Sequence, residues 1–230
     1  MRRNQQLIGS RNGKGHRSNK GDLYVFEGPD GVGKSTVAQL LVHSLEDAGR
    51  QARYFLFPGN VPGSLGRLIY DLHHDRSRFG INSIDPTSLQ ILHIAAHVDV
   101  IESQIKPLIN AGTNVVLDRY WWSTEAYGKV LGADEITLGL LIELEMHHWK
   151  TIKPKAIFLL SRETPIGVVK DGAWERVQHM YDAIARRERK SNSIHNIENE
   201  STPADARRAV LSHIDLLSER LSLHDSSVKD

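Results

Sequence analysis

The sequence contains no cysteine. That absence excludes a disulfide framework, a thiolate zinc site and a thiol nucleophile, and it fits a cytoplasmic protein. No apolar run approaches the roughly 18 to 20 residues that span a bilayer, and no apolar stretch follows the charged N-terminus as a secretory signal would require. The chain therefore reads as soluble, with no membrane partner. Net charge is scarce too. The 29 Lys and Arg residues against 28 Asp and Glu leave +1 at neutral pH, too little for a protein whose main task is to neutralise nucleic-acid phosphates. The charge is uneven, however: Arg2, Arg3, Arg11, Lys14, Arg17 and Lys20 lie among Gly, Asn and Ser with no acidic residue before Asp22. Residues 1–21 read as a disordered, solvated tail, the alternative being a basic arm for nucleic acid or another acidic surface.

What remains, residues 22–225 of a 230-residue chain, is enough for one α/β domain with its own core. Leu23-Tyr24-Val25-Phe26 is a short, apolar, β-prone run, and a glycine-rich segment follows it at once. Apolar residues at helical spacing then run from Val37 to Leu45 and stop near Ala48-Gly49. Further strands are expected at Ala52–Phe57, Val115–Leu117 and Ala156–Leu160, with a short one near Ile194–Ile197. Helices are expected at Leu65–Leu72, Thr87–Ile109, Glu135–Lys150, Ala173–Lys190 and Ala204–Leu223. The long one carries Leu89, Leu92, Ala96, Val100 and Ile101 on its apolar side. Strand-then-helix repetition implies a parallel sheet covered by helices on both faces.

Gly28-Pro29-Asp30-Gly31-Val32-Gly33-Lys34-Ser35 satisfies the P-loop pattern, here between a strand and a helix as the motif requires. Its glycines let backbone N–H groups curl around phosphate oxygens, and the following helix directs its positive end at them. Lys34 adds a mobile charge, and Ser35 is placed to coordinate Mg²⁺. ATP with magnesium is the expected ligand pair. Asp118 and Arg119 close the Val115–Leu117 strand, where ligands of open α/β sheets collect. An acid there holds the hydrated metal or orients an acceptor, and an adjacent arginine can clamp a phosphate.

These segments together resemble the thymidylate kinase family of P-loop nucleoside monophosphate kinases. The likeness rests on Phe26 to Thr36, Ala95-Ala96-His97-Val98, Ile105-Lys106-Pro107, and Asp118-Arg119-Tyr120 followed by Ser123, Thr124, Ala126 and Tyr127. It runs in order from about Asp22 to Arg189. The resemblance implies the P-loop NTPase fold, a homodimer, and transfer of the γ-phosphoryl of Mg-ATP to dTMP or a related deoxynucleotide. Gly28 to Thr36 would then hold ATP, Asp30 would approach the acceptor sugar hydroxyl, and Arg119 would grip the acceptor phosphate. Asp118 would serve the metal and phosphates, and Thr124 and Tyr127 would border base and sugar.

Against that resemblance stand departures on the acceptor and lid sides. Tyr54-Phe55-Leu56-Phe57-Pro58 offers no arginine where the family places one before the proline. The long helix has His93 and His97 where the family places a stacking aromatic residue and an arginine. Their spacing is also that of two zinc ligands, although Ile94 stands where a metalloprotease has glutamate, and ordinary packing is a third reading. The lid, Ser161 to Asp171, holds one arginine, Arg162, so Arg162, Lys170 or Arg176 is left to supply the transition-state cation that this family, with glycine at position 31, takes from its lid. His73-His74 and His147-His148 read as surface or interfacial pairs. Trp121-Trp122 reads equally as a wall of the acceptor pocket or as core. Two other functions stay open: a kinase of a nucleoside or other small alcohol, and a non-catalytic nucleotide-binding regulator.

Overall fold

The computed structural model describes residues 20–214. Five strands, β1 (Leu23–Glu27), β2 (Ala52–Leu56), β3 (Asn114–Asp118), β4 (Ala156–Ser161) and β5 (Ile194–Glu198), form one all-parallel sheet in the order β2-β3-β1-β4-β5. Between them run α1 (Lys34–Asp47), α2 (Leu65–His74), α3 (Pro86–Val100), the short α4 (Lys106–Asn110), α5 (Trp121–Leu131), α6 (Glu135–Trp149), α7 (Gly172–Glu188) and α8 (Pro203–Ser212).

The side-chain alternation of β1 divides the core. Leu23 and Val25 point into one layer with Ile101, Ile105, Trp121, Trp122, Trp149 and Tyr181, while Tyr24 and Phe26 point into the other with Val37, Leu41 and Leu45 of α1 and Val210 of α8. Helices therefore cover both faces, as parallel strands require. β1 pairs with β3 on one side and β4 on the other, so the chain reverses its direction of winding at β1. The register sets Phe26 and Leu56 beside Asp118, aligning three strand ends into a floor for the site.

Three expectations need correction. The single helix over Thr87–Ile109 is broken: α3 ends at Val100, a π-helical turn covers Ile101–Ile105, and α4 restarts around Pro107. Proline has no N–H to give, and its ring crowds the carbonyl four residues back, so the ladder loosens just ahead of it. The buried residues of α3 are Leu89, Gln90, Ile94, Ala96 and His97, whereas Leu92 and Val100 are only half-buried. Second, α5 forms over Trp121–Leu131, where no helix was expected. Third, α8 ends at Ser212 instead of running on to Leu223. Positions 215–230, like the basic tail up to position 19, lie outside the described residues. Among the described residues no helix is long and apolar enough to cross a membrane.

Candidate functional site

The loop from Gly28 to Gly33 leaves β1 and delivers α1 with Gly33 as its N-cap, at φ 89, a left-handed conformation that glycine adopts without strain. Lys34, only 6% exposed, folds back so that Nζ donates to the Pro29 carbonyl at 2.7 Å. Burial, with the Arg119 charge next, pushes its pKa below the usual lysine value. Val32 is buried in the core, and its carbonyl accepts from Asn199 Nδ2 at 2.8 Å, so it anchors the loop while Asp30, Gly31, Gly33, Lys34, Ser35 and Thr36 line a cavity of about 450 Å³.

Asp118 is fully buried at the end of β3. Its Oδ2 accepts from the Ser35 hydroxyl and from Tyr54 OH at 3.0 Å, while Oδ1 has no hydrogen-bond partner among the described residues. A hydroxyl and a carboxylate with a spare lone pair, beside a phosphate-binding loop, are the hard oxygen donors that Mg²⁺ prefers.

Arg119 follows at φ 74, the one non-glycine residue at positive φ among those described. This turn carries the guanidinium across the cavity, where it pairs with Asp30 and donates to Ser123 Oγ at 3.2 Å and Tyr181 OH at 3.4 Å. Tyr127 OH donates to Asp30 Oδ2 at 2.9 Å. Burial opposes ionisation of Asp30, yet Arg119 and Lys34 hold its pKa below the ordinary aspartate value. Loop, strand end and α5 are thus tied together around the cavity.

Glu27, fully buried, underpins this turn. Its Oε1 accepts the N–H groups of Tyr120 at 2.7 Å and Ser123 at 3.1 Å, and Oε2 accepts from Ser123 Oγ at 2.8 Å. Burial raises its pKa above the ordinary glutamate value, against the pull of Arg119 and these donors.

On the far side of the cavity lie Leu56, His93, His97, Thr124 and, at its edge, the exposed His73 and His74. His97 is 3% exposed, shares a 3.0 Å hydrogen bond through Nδ1 with buried Glu145, and stacks on Phe57 with ring centroids 4.1 Å apart. It is fixed in place. His93 Nε2 is buried without a partner among the described residues, and burial, followed by the neighbouring His97 and His73, lowers its pKa to about 3. No group of three or more His, Cys, Asp or Glu among the described residues is arranged to hold a metal. Trp121 and Trp122 are 3% and 0% exposed inside the core and stand outside the cavity wall.

The lid sits directly on the P-loop. The Ile166 N–H donates to the Gly31 carbonyl at 2.9 Å, and Trp174 Nε1 donates to the Asp30 carbonyl at 2.8 Å. A Cβ at position 31 would meet Val168 Cγ2 at 2.7 Å and Ile166 O at 2.8 Å, so only glycine admits this seat. Arg162 is committed to the backbone carbonyls of Thr164 and Asn199. Lys170 instead lies over the Trp174 ring, 5.8 Å from its centroid.

Sequence reasoning missed Tyr54, Gln90, Trp174, Tyr181 and the capping role of Glu27. Only Glu27 carried a local signal, an acid closing an otherwise apolar buried strand.

Residues 26–205 match the family model for thymidylate kinase. A thymidylate kinase of Desulfotalea psychrophila is 37% identical over 117 residues, 51% of this chain and 54% of that protein, so the chain spans about half the length of this relative. One from Francisella philomiragia is 30% identical over 151 residues, 64% of this chain and 70% of that protein. In fold, the chain is similar to the crystal structure of thymidylate kinase from Ehrlichia chaffeensis, with a TM-score of 0.66 and 22% identity over 86% of this chain and 98% of the other. The parallel sheet with helices on both faces is that of the P-loop NTPases.

Proposed function

Because this chain belongs to the thymidylate kinase family, we propose that it is a nucleoside monophosphate kinase, moving the γ-phosphoryl of Mg-ATP to dTMP or a related deoxynucleotide. The observation that carries this reading is the Asp30–Arg119–Tyr127 cluster facing Lys34, Ser35 and Asp118 across one cavity. A donor and an acceptor phosphate fit only if a cation serves each end, and Lys34 and Arg119 are those two cations. Lys34 and the loop from Gly28 to Thr36 hold the donor phosphates. Arg119 orients the acceptor phosphate, while Asp30, Thr124 and Tyr127 position its sugar and base, as His93 and His97 do from α3. Ser35 and Asp118 hold magnesium, which when bound neutralises charge on the transferring group. Catalysis then comes from alignment and charge neutralisation, without a covalent enzyme intermediate.

Arg162 is engaged with backbone carbonyls, which leaves Lys170 and Arg176 as the candidates for the cation that reaches the transferring phosphoryl. A cytoplasmic location belongs to the same proposal, as does a homodimer. Ile136, Leu140 and Leu144, 77%, 61% and 47% exposed, follow one another along α6 at four-residue spacing and form an apolar stripe that no described residue covers.

The test is a panel of acceptors with direct detection of the phosphorylated product. Nucleoside monophosphates are expected to be converted to diphosphates, and turnover of none of them would overturn the reading. Leu56, which lines the cavity without a charge, motivates the second reading: nucleosides outcompeting their monophosphates would establish a nucleoside kinase instead.

A further inference from the structure

Three polar side chains in the far wall of the cavity share one property. Gln90 and Thr124 are each 2% exposed, and Gln90 Oε1, His93 Nε2 and Thr124 Oγ1 are buried with no hydrogen-bond partner among the described residues. All three residues line the cavity, two from α3 and one from α5. Dry, unpartnered polar atoms are rare in folded proteins because each forfeits its hydration. Several in one cavity wall mark a surface completed by a polar ligand.

The identity of the groups says more than their number. A carboxamide turned over exchanges its carbonyl for its amino group, a neutral imidazole changes tautomer, and a hydroxyl rotates. Each can donate or accept until a neighbour fixes its role, as Glu145 fixes His97. No described neighbour fixes these three atoms. His93 is neutral across the working pH range, since burial lowers its pKa to about 3, so it acts through hydrogen bonding and not through charge. The nearby guanidinium, a donor only, is already engaged by Asp30, Ser123 and Tyr181.

Resting on the nucleotide-kinase reading above, we propose that Gln90, His93 and Thr124 form a role-reversible wall that reads the acceptor base, and that it accepts keto and amino pyrimidines alike. The edge of thymine or uracil presents an acceptor beside an N–H donor, whereas that of cytosine presents an amino donor beside an acceptor. Passing from one to the other exchanges both roles, and one turn of the Gln90 amide answers both exchanges. A site with fixed donors behaves differently, rejecting the wrong edge by about 10⁴-fold or more because a buried group is left unpaired.

The experiment measures kcat/KM for dTMP, dUMP and dCMP at saturating Mg-ATP, with detection of the diphosphate. dCMP is expected within about tenfold of dTMP, since no reader need be left unpaired. A preference above about a hundredfold for either edge overturns the proposal. Gln90→Leu, similar in size and free of the orphan oxygen, is expected to melt no lower than the wild type and to raise KM about tenfold for all three acceptors, with KM for ATP unmoved. An unchanged KM, or a change for one base alone, removes Gln90 from the wall. Should no monophosphate be phosphorylated, the kinase reading fails separately, and calorimetric binding of dTMP and dCMP decides the wall: similar affinities uphold it, and binding of one or neither sinks it.

Discussion

Arg119 bears backbone strain in the service of its side chain. Its φ of 74 costs a non-glycine residue on the order of 1 kcal/mol, and that cost persists because the turn aims the guanidinium into the cavity. Two substitutions separate backbone from side chain. Arg119→Gly and Arg119→Ala both lose the contacts with Asp30, Ser123 and Tyr181, but glycine relieves the strain and alanine does not. The glycine variant is expected to melt about 2–4 °C above the alanine variant; equal melting temperatures would remove the strain account. Both lose acceptor turnover. Lys34→Ala is expected to weaken ATP binding at least tenfold by calorimetry, and unchanged binding would count against the P-loop assignment. At this scale the donor residues were legible because their chemistry is local: glycines, lysine and serine occur within one short segment. Tyr54, Tyr181 and Gln90 were not. Tyr54 meets Asp118 across 64 positions and Tyr181 meets Arg119 across 62, contacts that packing makes and spacing does not announce.

Apart from α1, which follows the P-loop and has no side-chain cap, the helices that sequence reasoning found and the one it missed differ in how they begin. Side chains of Ser64, Asp85, Asp134, Asp171 and Thr202 cap α2, α3, α6, α7 and α8 from the adjacent position, a signal visible in the chain itself. By contrast, α5 starts after Tyr120, which offers no side-chain cap, and its first N–H groups are met by Glu27 from 93 and 96 positions away. The break in the long helix was similarly hidden, although Pro107 in an apolar run was its available warning. The remote cap gives a prediction. Glu27→Ala strands the buried Tyr120 N–H, while the Ser123 N–H keeps the Tyr120 carbonyl at 3.0 Å, and is expected to destabilise the protein by about 2 kcal/mol in denaturant unfolding. Glu27→Gln keeps an acceptor and is expected to lose far less. The pH dependence has a definite sign. Because the folded pKa of Glu27 is raised, its relative stabilisation is complete below the ordinary glutamate pKa and is lost as pH rises through the raised value. Glu27→Gln should therefore gain on the wild type in melting temperature as pH increases; a constant difference would contradict the raised pKa.

At the scale of the whole molecule, the order β2-β3-β1-β4-β5 gathers the P-loop, Asp118 and Leu56 at the C-terminal ends of three neighbouring strands. Strand-helix alternation made the parallel sheet with helices on both faces legible, but not the strand order, which is set by contacts between strands distant in sequence. Leu140→Glu in the α6 stripe is expected to convert a dimer to monomers in sedimentation equilibrium, with the monomer's fold intact by circular dichroism; an unchanged mass would place the interface elsewhere. The lid raises a question of timing. Ile166 holds it to the carbonyl of Gly31, and Trp174 at the start of α7 holds the carbonyl of Asp30. If the chain is the kinase proposed above, these two bonds make opening of the lid slower than phosphoryl transfer: kcat is expected to fall in proportion to viscosity as sucrose is added, while transfer within a single turnover stays constant; a kcat indifferent to viscosity would count against this.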